Sequence, residues 1–284
     1  MLYDALFYEK LNKKVNCFLC PHHCLISEGK FGLCSVRTNA GGTLKTINYG
    51  EVTAIALDPI EKKPIYHFES GSKILSVGSF GCNFSCGFCQ NYSIAHHRAE
   101  SKYYAPHELV DIIISIKDNI GIAFTYNEPS IWYEYVYDTS KLLKEKHPEF
   151  KVILVTNGYI EKEPLARLLP YVDAMNIDLK SFSQNFYKKE CRGDLGSVKR
   201  TIEAAYDKCH VEITTLLIGG LNDFMKEIEE IAAYLGSLDK NIPLHLSRYF
   251  PHYKMDRPPT DISVMIKARD IAKEYLDYVY LGNV

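Results

Sequence analysis

The sequence predicts an α/β fold: a partial (β/α)6 TIM-like barrel preceded by a small cysteine-rich β subdomain. From Lys73 onward, short apolar runs alternate with longer amphipathic stretches, the signature of repeated βα units around a parallel sheet. Before that point the texture changes. Residues 17–34 are rich in Cys, His and Gly, and seven of the nine cysteines lie between positions 17 and 89. The expected division is a metal-binding cap over residues 1–70 and the barrel over residues 71–284.

The units follow in order. Lys73–Ser79 is the first strand, and a helix opened by Pro106 runs through Leu109, Ile112, Ile113 and Ile116. Further strands are expected at Gly121–Tyr126, Lys151–Thr156, Tyr171–Asp178, His210–Leu217 and Pro243–Ser247. Helical patterns near 130–146, 161–169, 195–208, 223–237 and 260–276 separate and follow them. In the cap, residues 43–57 alternate like a β-hairpin around Tyr49-Gly50-Glu51.

Composition narrows the function classes. The 284 residues are 46% hydrophobic and carry 33 Lys+Arg against 35 Asp+Glu, a formal charge of -2. A chain of this length buries a large core without disulfides, and the balanced charge disfavours nucleic acid as a partner. No apolar run approaches the roughly 18–20 residues of a membrane span. The first fifteen residues mix Asp4, Glu9, Lys10, Lys13 and Lys14 with aromatics, unlike a secretory signal, so the expected compartment is the cytoplasm. Thiols stay reduced there, and dense Cys spacing then favours metal ligation.

The sharpest motif is Cys82-Asn83-Phe84-Ser85-Cys86-Gly87-Phe88-Cys89, a C-x3-C-x2-C loop directly after the first expected strand. Three thiolates on one tight loop can hold three corners of a [4Fe–4S] cluster, leaving one iron open to a substrate or cofactor. The alternative is a structural zinc knuckle closed by His96 or His97. A second group, Cys17, Cys20, Cys24 and Cys34, supplies four thiolates and suits tetrahedral zinc or a fully ligated [4Fe–4S] cluster equally well. Its simplest role is to staple a small subdomain.

Polar residues recur just after the expected strands: Asn127 and Glu128, Thr156 and Asn157, Asp178 and Lys180, Asn222, then His245 and Arg248. In a β/α barrel these positions converge on the C-terminal mouth, where active sites form. Singly, each also suits a turn or a helix cap. Tyrosines are abundant, 21 in all, and the segment Arg248–Lys254 is the aromatic stretch best placed for substrate contact.

The C-x3-C-x2-C loop, with the aromatic Phe88 before its last cysteine, resembles the signature of the radical S-adenosylmethionine (SAM) enzymes. Cys17-x2-Cys20-Pro21 with Cys24 and Cys34, Glu61-Lys62-Lys63-Pro64-Ile65-Tyr66-His67-Phe68, Gln90-Asn91, Tyr126-Asn127-Glu128-Pro129 and Gly220-Leu221-Asn222-Asp223 extend the likeness. They are similar to the radical SAM member of the AmmeMemoRadiSam system, itself similar to pyruvate formate-lyase activating enzymes. The resemblance implies reductive cleavage of SAM to a 5′-deoxyadenosyl radical that takes hydrogen from a protein or peptide, with a low-potential electron donor such as flavodoxin or ferredoxin. It implies that Glu128 accepts from the SAM ammonium, Lys180 pairs with its carboxylate, Asn157 bonds ribose hydroxyls and His245 reaches the carboxylate or ribose. Phe88 and Ile218 would wall the adenine, with Asn127, Thr156, Asp178, Asn222 and Arg248 completing the cofactor-binding set. Activating enzymes carry an Asp before Thr-Asn-Gly for a monovalent cation, where this chain has Val155. The rival readings are a radical SAM enzyme acting on a small metabolite or RNA base, and a non-catalytic zinc-knuckle binding module.

Overall fold

In the computed structural model, which describes residues 2–284, the chain begins with short strands β1 (Tyr3–Asp4), β2 (Tyr8–Leu11), β3 (Lys14–Cys17), β4 (Leu25–Ser27), β5 (Arg37–Ala40) and β6 (Thr43–Thr46). They pair as two antiparallel three-stranded sheets, β1-β6-β5 and β2-β3-β4. β7 (Glu51–Val52) and β8 (Ala54–Pro59) follow, then β9 (Lys73–Gly78), β10 (Lys102–Tyr103), β11 (Asn119–Phe124) and β12 (Lys151–Thr156). The remaining strands are β13 (Ala174–Asp178), β14 (His210–Leu217), β15 (Leu244–Arg248) and β16 (Val279–Gly282). The central sheet has eight strands in the order β16-β15-β14-β13-β12-β11-β9-β8, all parallel except for the β8–β9 pair. This is the α/β barrel-type fold expected, with small antiparallel sheets at the N-terminus.

The helices are α1 (Tyr92–Ala95), α2 (Pro106–Ser115), α3 (Tyr133–Lys146), α4 (Lys162–Leu168), α5 (Gln184–Phe186), α6 (Leu195–Tyr206), α7 (Met225–Leu238) and α8 (Ile262–Ala272). Local chemistry explains their ends. Pro106 opens α2, and the Glu108 carboxylate accepts the Ala105 N–H at 2.7 Å. Asp194 caps α6 and Asp261 caps α8, each accepting a backbone N–H at 2.7 Å. The apolar stripes face the sheet: Val198, Ile202 and Ala205 of α6 and Ile228, Ile231, Ala232 and Leu235 of α7 are all fully buried. Strands covered on both sides become near-continuous apolar runs, as in Lys-Val-Ile-Leu-Val-Thr of β12.

Two expectations are corrected. Residues 43–57 do not form a hairpin: β6 already has β1 on one edge and β5 on the other, so no free edge remains for β8. β8 instead pairs with β9, from Ala54 opposite Gly78 to Pro59 opposite Lys73, and covers the edge of the central sheet. The sheet also gains β16, which pairs with β15 after α8. Two strands are therefore added to the six expected. Among the described residues no helix is long and apolar enough to cross a membrane.

Candidate active site

The loop carrying Cys82, Cys86 and Cys89 leaves the C-terminal end of β9, where backbone groups tie it in place. Gly81 N–H donates to the Ile94 carbonyl at 2.8 Å, Lys254 N–H donates to the Gly87 carbonyl at 3.0 Å, and Asn83 Nδ2 donates to the Tyr159 carbonyl at 2.7 Å. These bonds tie the loop to three separate segments of the chain. The three cysteines line one cavity of about 270 Å³ together with Phe88, Tyr126, Asn127, Glu128, Thr156, Asn157, Asp178 and Lys180.

Several of these side chains are committed to the scaffold. Asn127 Oδ1 accepts from Ser79 N–H at 2.8 Å and its Nδ2 donates to the Gly81 carbonyl at 3.2 Å, so it orients the start of the cysteine loop. Asn157 Nδ2 donates to Asn83 Oδ1 at 2.9 Å, inside the loop. Glu128 is 3% exposed and accepts three bonds: from Ser130 N–H at 2.9 Å, Thr156 Oγ1 at 2.6 Å and Asn157 N–H at 2.8 Å. Burial raises its pKa against the pull of those donors. A carboxylate offers about four acceptor positions, so roughly one remains for a ligand.

Asp178 and Lys180 sit side by side in the cavity wall, Nζ to Oδ2 at 2.7 Å. Burial opposes the Lys180 charge, but Asp178 and the neighbouring thiols outweigh it and raise its pKa. The cavity thus presents a cation–anion pair beside three sulfurs. Tyr126, also in the lining, adopts a left-handed conformation at φ 70° and donates its hydroxyl to Asp58 Oδ2 at 2.9 Å, while the buried Lys63 ammonium lies 2.9 Å from the same oxygen. Hydrogen bonds from Lys63, Lys62 and Tyr126 outweigh the burial cost and hold the Asp58 carboxyl well below the usual carboxylate range.

Three expected cofactor residues lie outside the cavity lining. His245 is buried lower in the barrel, its Nε2 2.6 Å from Glu212 Oε2 and its ring stacked on Tyr280. Arg248 donates Nε–H to the Thr260 carbonyl at 2.8 Å and covers the Phe250 ring. Asn222 staples its own loop, donating to the Lys180 and Leu216 carbonyls and accepting from Ile218 N–H. Ile218 is buried away from the lining as well. In their place β14 and β15 contribute Thr214 and Ser247. Strand alternation supplied the missing signal: Ser247 shares its face with His245 but stands two residues, about 6.6 Å, nearer the mouth.

The second cysteine group is assembled too. Cys17, Cys20, Cys24 and Cys34 line a separate small cavity with Arg37, whose Nη1 lies 3.8 Å from Cys17 Sγ and whose Nη2 pairs with buried Glu134 on α3. As they stand, no three His, Cys, Asp or Glu side chains among the described residues close around a single metal ion. Cys82, Cys86 and Cys89, three thiols of one loop lining one cavity, are a donor set that would hold a [4Fe–4S] cluster.

Comparison with known proteins agrees with this geometry. An uncharacterised protein of Methanocaldococcus jannaschii is 44% identical over 289 aligned residues, spanning 99% of this chain and 85% of that protein. A second protein of the same organism, provisionally named a glycyl-radical enzyme activating enzyme, is 29% identical over 76% of this chain and 82% of its own length. Streptococcus suis SuiB, solved with S-adenosylmethionine bound, shares the fold at a TM-score of 0.58 and 13% identity, over 74% of this chain and 51% of SuiB. Residues 76–235, which hold the cysteine loop, Glu128, Asn157 and Lys180, match the Radical SAM superfamily, and the chain belongs to that superfamily.

Proposed function

We propose that this enzyme is an activating-enzyme-like member of the superfamily, akin to the radical SAM component of the AmmeMemoRadiSam system, and that it takes a hydrogen atom from a protein or peptide substrate. Superfamily membership implies an enzyme using a [4Fe–4S] cluster and SAM. The observation that carries the site assignment is the meeting of Cys82, Cys86 and Cys89 with Glu128, Asn157, Asp178 and Lys180 around one cavity. The 29%-identical relative supports the activating-enzyme subtype.

When bound together, cluster and SAM supply one-electron reductive cleavage to a 5′-deoxyadenosyl radical. The protein's own residues hold and orient. Cys82, Cys86 and Cys89 are the cluster ligands. Glu128 would offer its remaining acceptor position to the SAM ammonium, and Lys180, held 2.7 Å from Asp178 in the cavity wall, would pair with the SAM carboxylate. The Thr214 and Ser247 hydroxyls replace His245, Arg248 and Asn222 as polar contacts from the later strands. Phe88, buried and 6.0 Å from Phe186, keeps water from the reacting end. A low-potential flavodoxin or ferredoxin delivers the electron, and the Cys17–Cys34 group holds a second metal centre in a cap over residues 1–70. The enzyme works in the cytoplasm.

The test is anaerobic reconstitution followed by iron and 5′-deoxyadenosine assays. Cys82→Ala, Cys86→Ala and Cys89→Ala should each lose about one cluster of iron and all SAM cleavage; full activity in any of them rejects the site. Mixing with a candidate protein substrate should then yield a protein-centred radical by electron paramagnetic resonance, whereas turnover of a small metabolite alone would overturn the substrate assignment.

A further inference from the structure

The turn that delivers Glu128 is strained, and its anchor lies on the antiparallel edge strand. β11 ends at Phe124, and Asn127 N–H donates back across one residue to the Thr125 carbonyl at 2.9 Å, with Tyr126 between them at φ 70°. A bond across one residue with a positive φ at its centre is the rare, strained form of γ-turn, and a bulky side chain suits it poorly. Glycine would adopt such a φ freely. The backbone around the turn is also tight, because a β-carbon on Gly78 at the end of β9 would lie 2.8 Å from the Thr125 carbonyl oxygen.

The Tyr126 side chain is pinned where the strain arises. Its hydroxyl donates to Asp58 Oδ2 at 2.9 Å, and Asp58 belongs to β8, the strand that runs antiparallel to β9. Asp58 is itself held: Lys63 Nζ lies 2.9 Å from Oδ2, Lys62 Nζ lies 3.1 Å from Oδ1, and the Lys63 ammonium stands 4.7 Å from the centre of the Tyr126 ring. Lys63 is 3% exposed, so salt screens its pairing little. Asn91 Nδ2 donates to the Tyr126 carbonyl at 2.7 Å, which engages the backbone as well. Strained backbone persists only where its surroundings over-determine it, and such residues cluster at ligand sites. The two residues that follow are Asn127, bonded to Ser79 and Gly81 at the start of the cysteine loop, and Glu128, so relaxation of the turn would displace both. We propose that Tyr126 is a positioning residue whose bond to Asp58 holds the strained turn in the geometry that presents Glu128 to the SAM ammonium. The proposal rests on the SAM assignment made above and adds to it a clamp, Asp58 and Lys63, that lies outside the cavity lining. It gives Lys62 and Lys63 of the Glu61–Phe68 segment a purpose.

The experiment compares full-length wild type, Tyr126→Phe and Tyr126→Gly. Phenylalanine keeps the ring and the strain but loses the hydroxyl, whereas glycine loses the whole side chain and the strain with it. After anaerobic reconstitution, calorimetric titration should show SAM bound about tenfold more weakly by Tyr126→Phe, the effect of losing one hydrogen bond to a charged group. Affinity in Tyr126→Gly should return toward wild type. A ring that served only as packing would give the opposite order, because glycine removes more contact. With neither cluster nor SAM present, hydrogen exchange across residues 125–130, read by mass spectrometry, should be faster in Tyr126→Phe than in wild type; this measurement decides if a variant fails to take up its cluster. Wild-type affinity in Tyr126→Phe, weaker binding by Tyr126→Gly than by Tyr126→Phe, or unchanged exchange in Tyr126→Phe overturns the proposal. A wild type that binds no SAM after reconstitution overturns the parent assignment and this inference with it.

Discussion

His22 Nε2, in the loop between Cys20 and Cys24, lies 2.7 Å from the carbonyl oxygen of Asn83, in the loop between Cys82 and Cys86. The carbonyl can only accept, so the imidazole donates and joins the two cysteine groups directly. His22 also meets Tyr159 edge to face, and the Tyr159 carbonyl takes the Asn83 amide. His22→Ala should cost about 1 kcal/mol, a fall in Tm of about 2–4 °C, because one partly buried hydrogen bond is lost. Iron release from the Cys82–Cys89 loop, followed with a chelator, should speed up in the same variant. An unchanged release rate would show that the two cysteine groups are mechanically independent.

The metal at the first cysteine group can be identified in the intact chain. A fragment ending near residue 70 would carry β8 away from β9 and expose the sheet edge, so it is a poor probe. A Cys82→Ala/Cys86→Ala/Cys89→Ala protein removes the second loop's ligands instead. Metal bound to that protein should fall further on adding Cys17→Ala, with a lower Tm if the site staples the lobe. Zinc or iron in the elemental analysis then names the centre.

Glu128 is expected to serve both the fold and the ligand. In Glu128→Gln an amide N–H₂ must replace one oxygen, yet all three bonded neighbours donate toward Glu128. One donor then faces another in a buried site, at a cost of about 1–3 kcal/mol. SAM affinity should fall by about tenfold or more, corresponding to roughly 1.4 kcal/mol or above. Exposed Glu163→Gln is the control and should leave both values unchanged. Calorimetric SAM titration and thermal melting of both variants check this, and a stability loss with wild-type SAM affinity would leave Glu128 a scaffold residue only.

The floor of the barrel should register in acid. Glu212 is fully buried and accepts the N–H groups of Tyr66 and His67, both at 2.7 Å, while facing His210 at 2.9 Å and His245 at 2.6 Å. Burial alone would raise its pKa, but the bonds from His210, His245 and His67 outweigh burial and hold the carboxyl at about 2, against an ordinary 4.5. A carboxyl lowered on folding stabilises the protein fully above about pH 4.5 and loses that contribution as pH falls toward 2. Urea midpoints should therefore drop more steeply for wild type than for Glu212→Gln between pH 5 and pH 3. Parallel midpoints would show that Glu212 does not carry this charge.

Much of this protein is written locally. The C-x3-C-x2-C spacing places three thiols on one loop whatever surrounds them, and the apolar runs of β9, β11, β12 and β13 mark buried parallel strands without reference to their neighbours. Pro106, Asp194 and Asp261 announce helix starts within a few residues. Depth and pairing are different in kind. Whether His245 or Ser247 reaches the cavity depends on where the mouth lies along β15, and whether β8 folds back on β6 or joins β9 depends on which edges are already taken. The bond from Ser85 N–H to the Cys191 carbonyl joins residues far apart in sequence through a π-turn and a Gly193–Phe84 approach that carry no periodic signal. Short-range covalent geometry therefore determined the chemical inventory and its order along the chain, while competition for edges, depth and contact in three dimensions decided which of those groups meet.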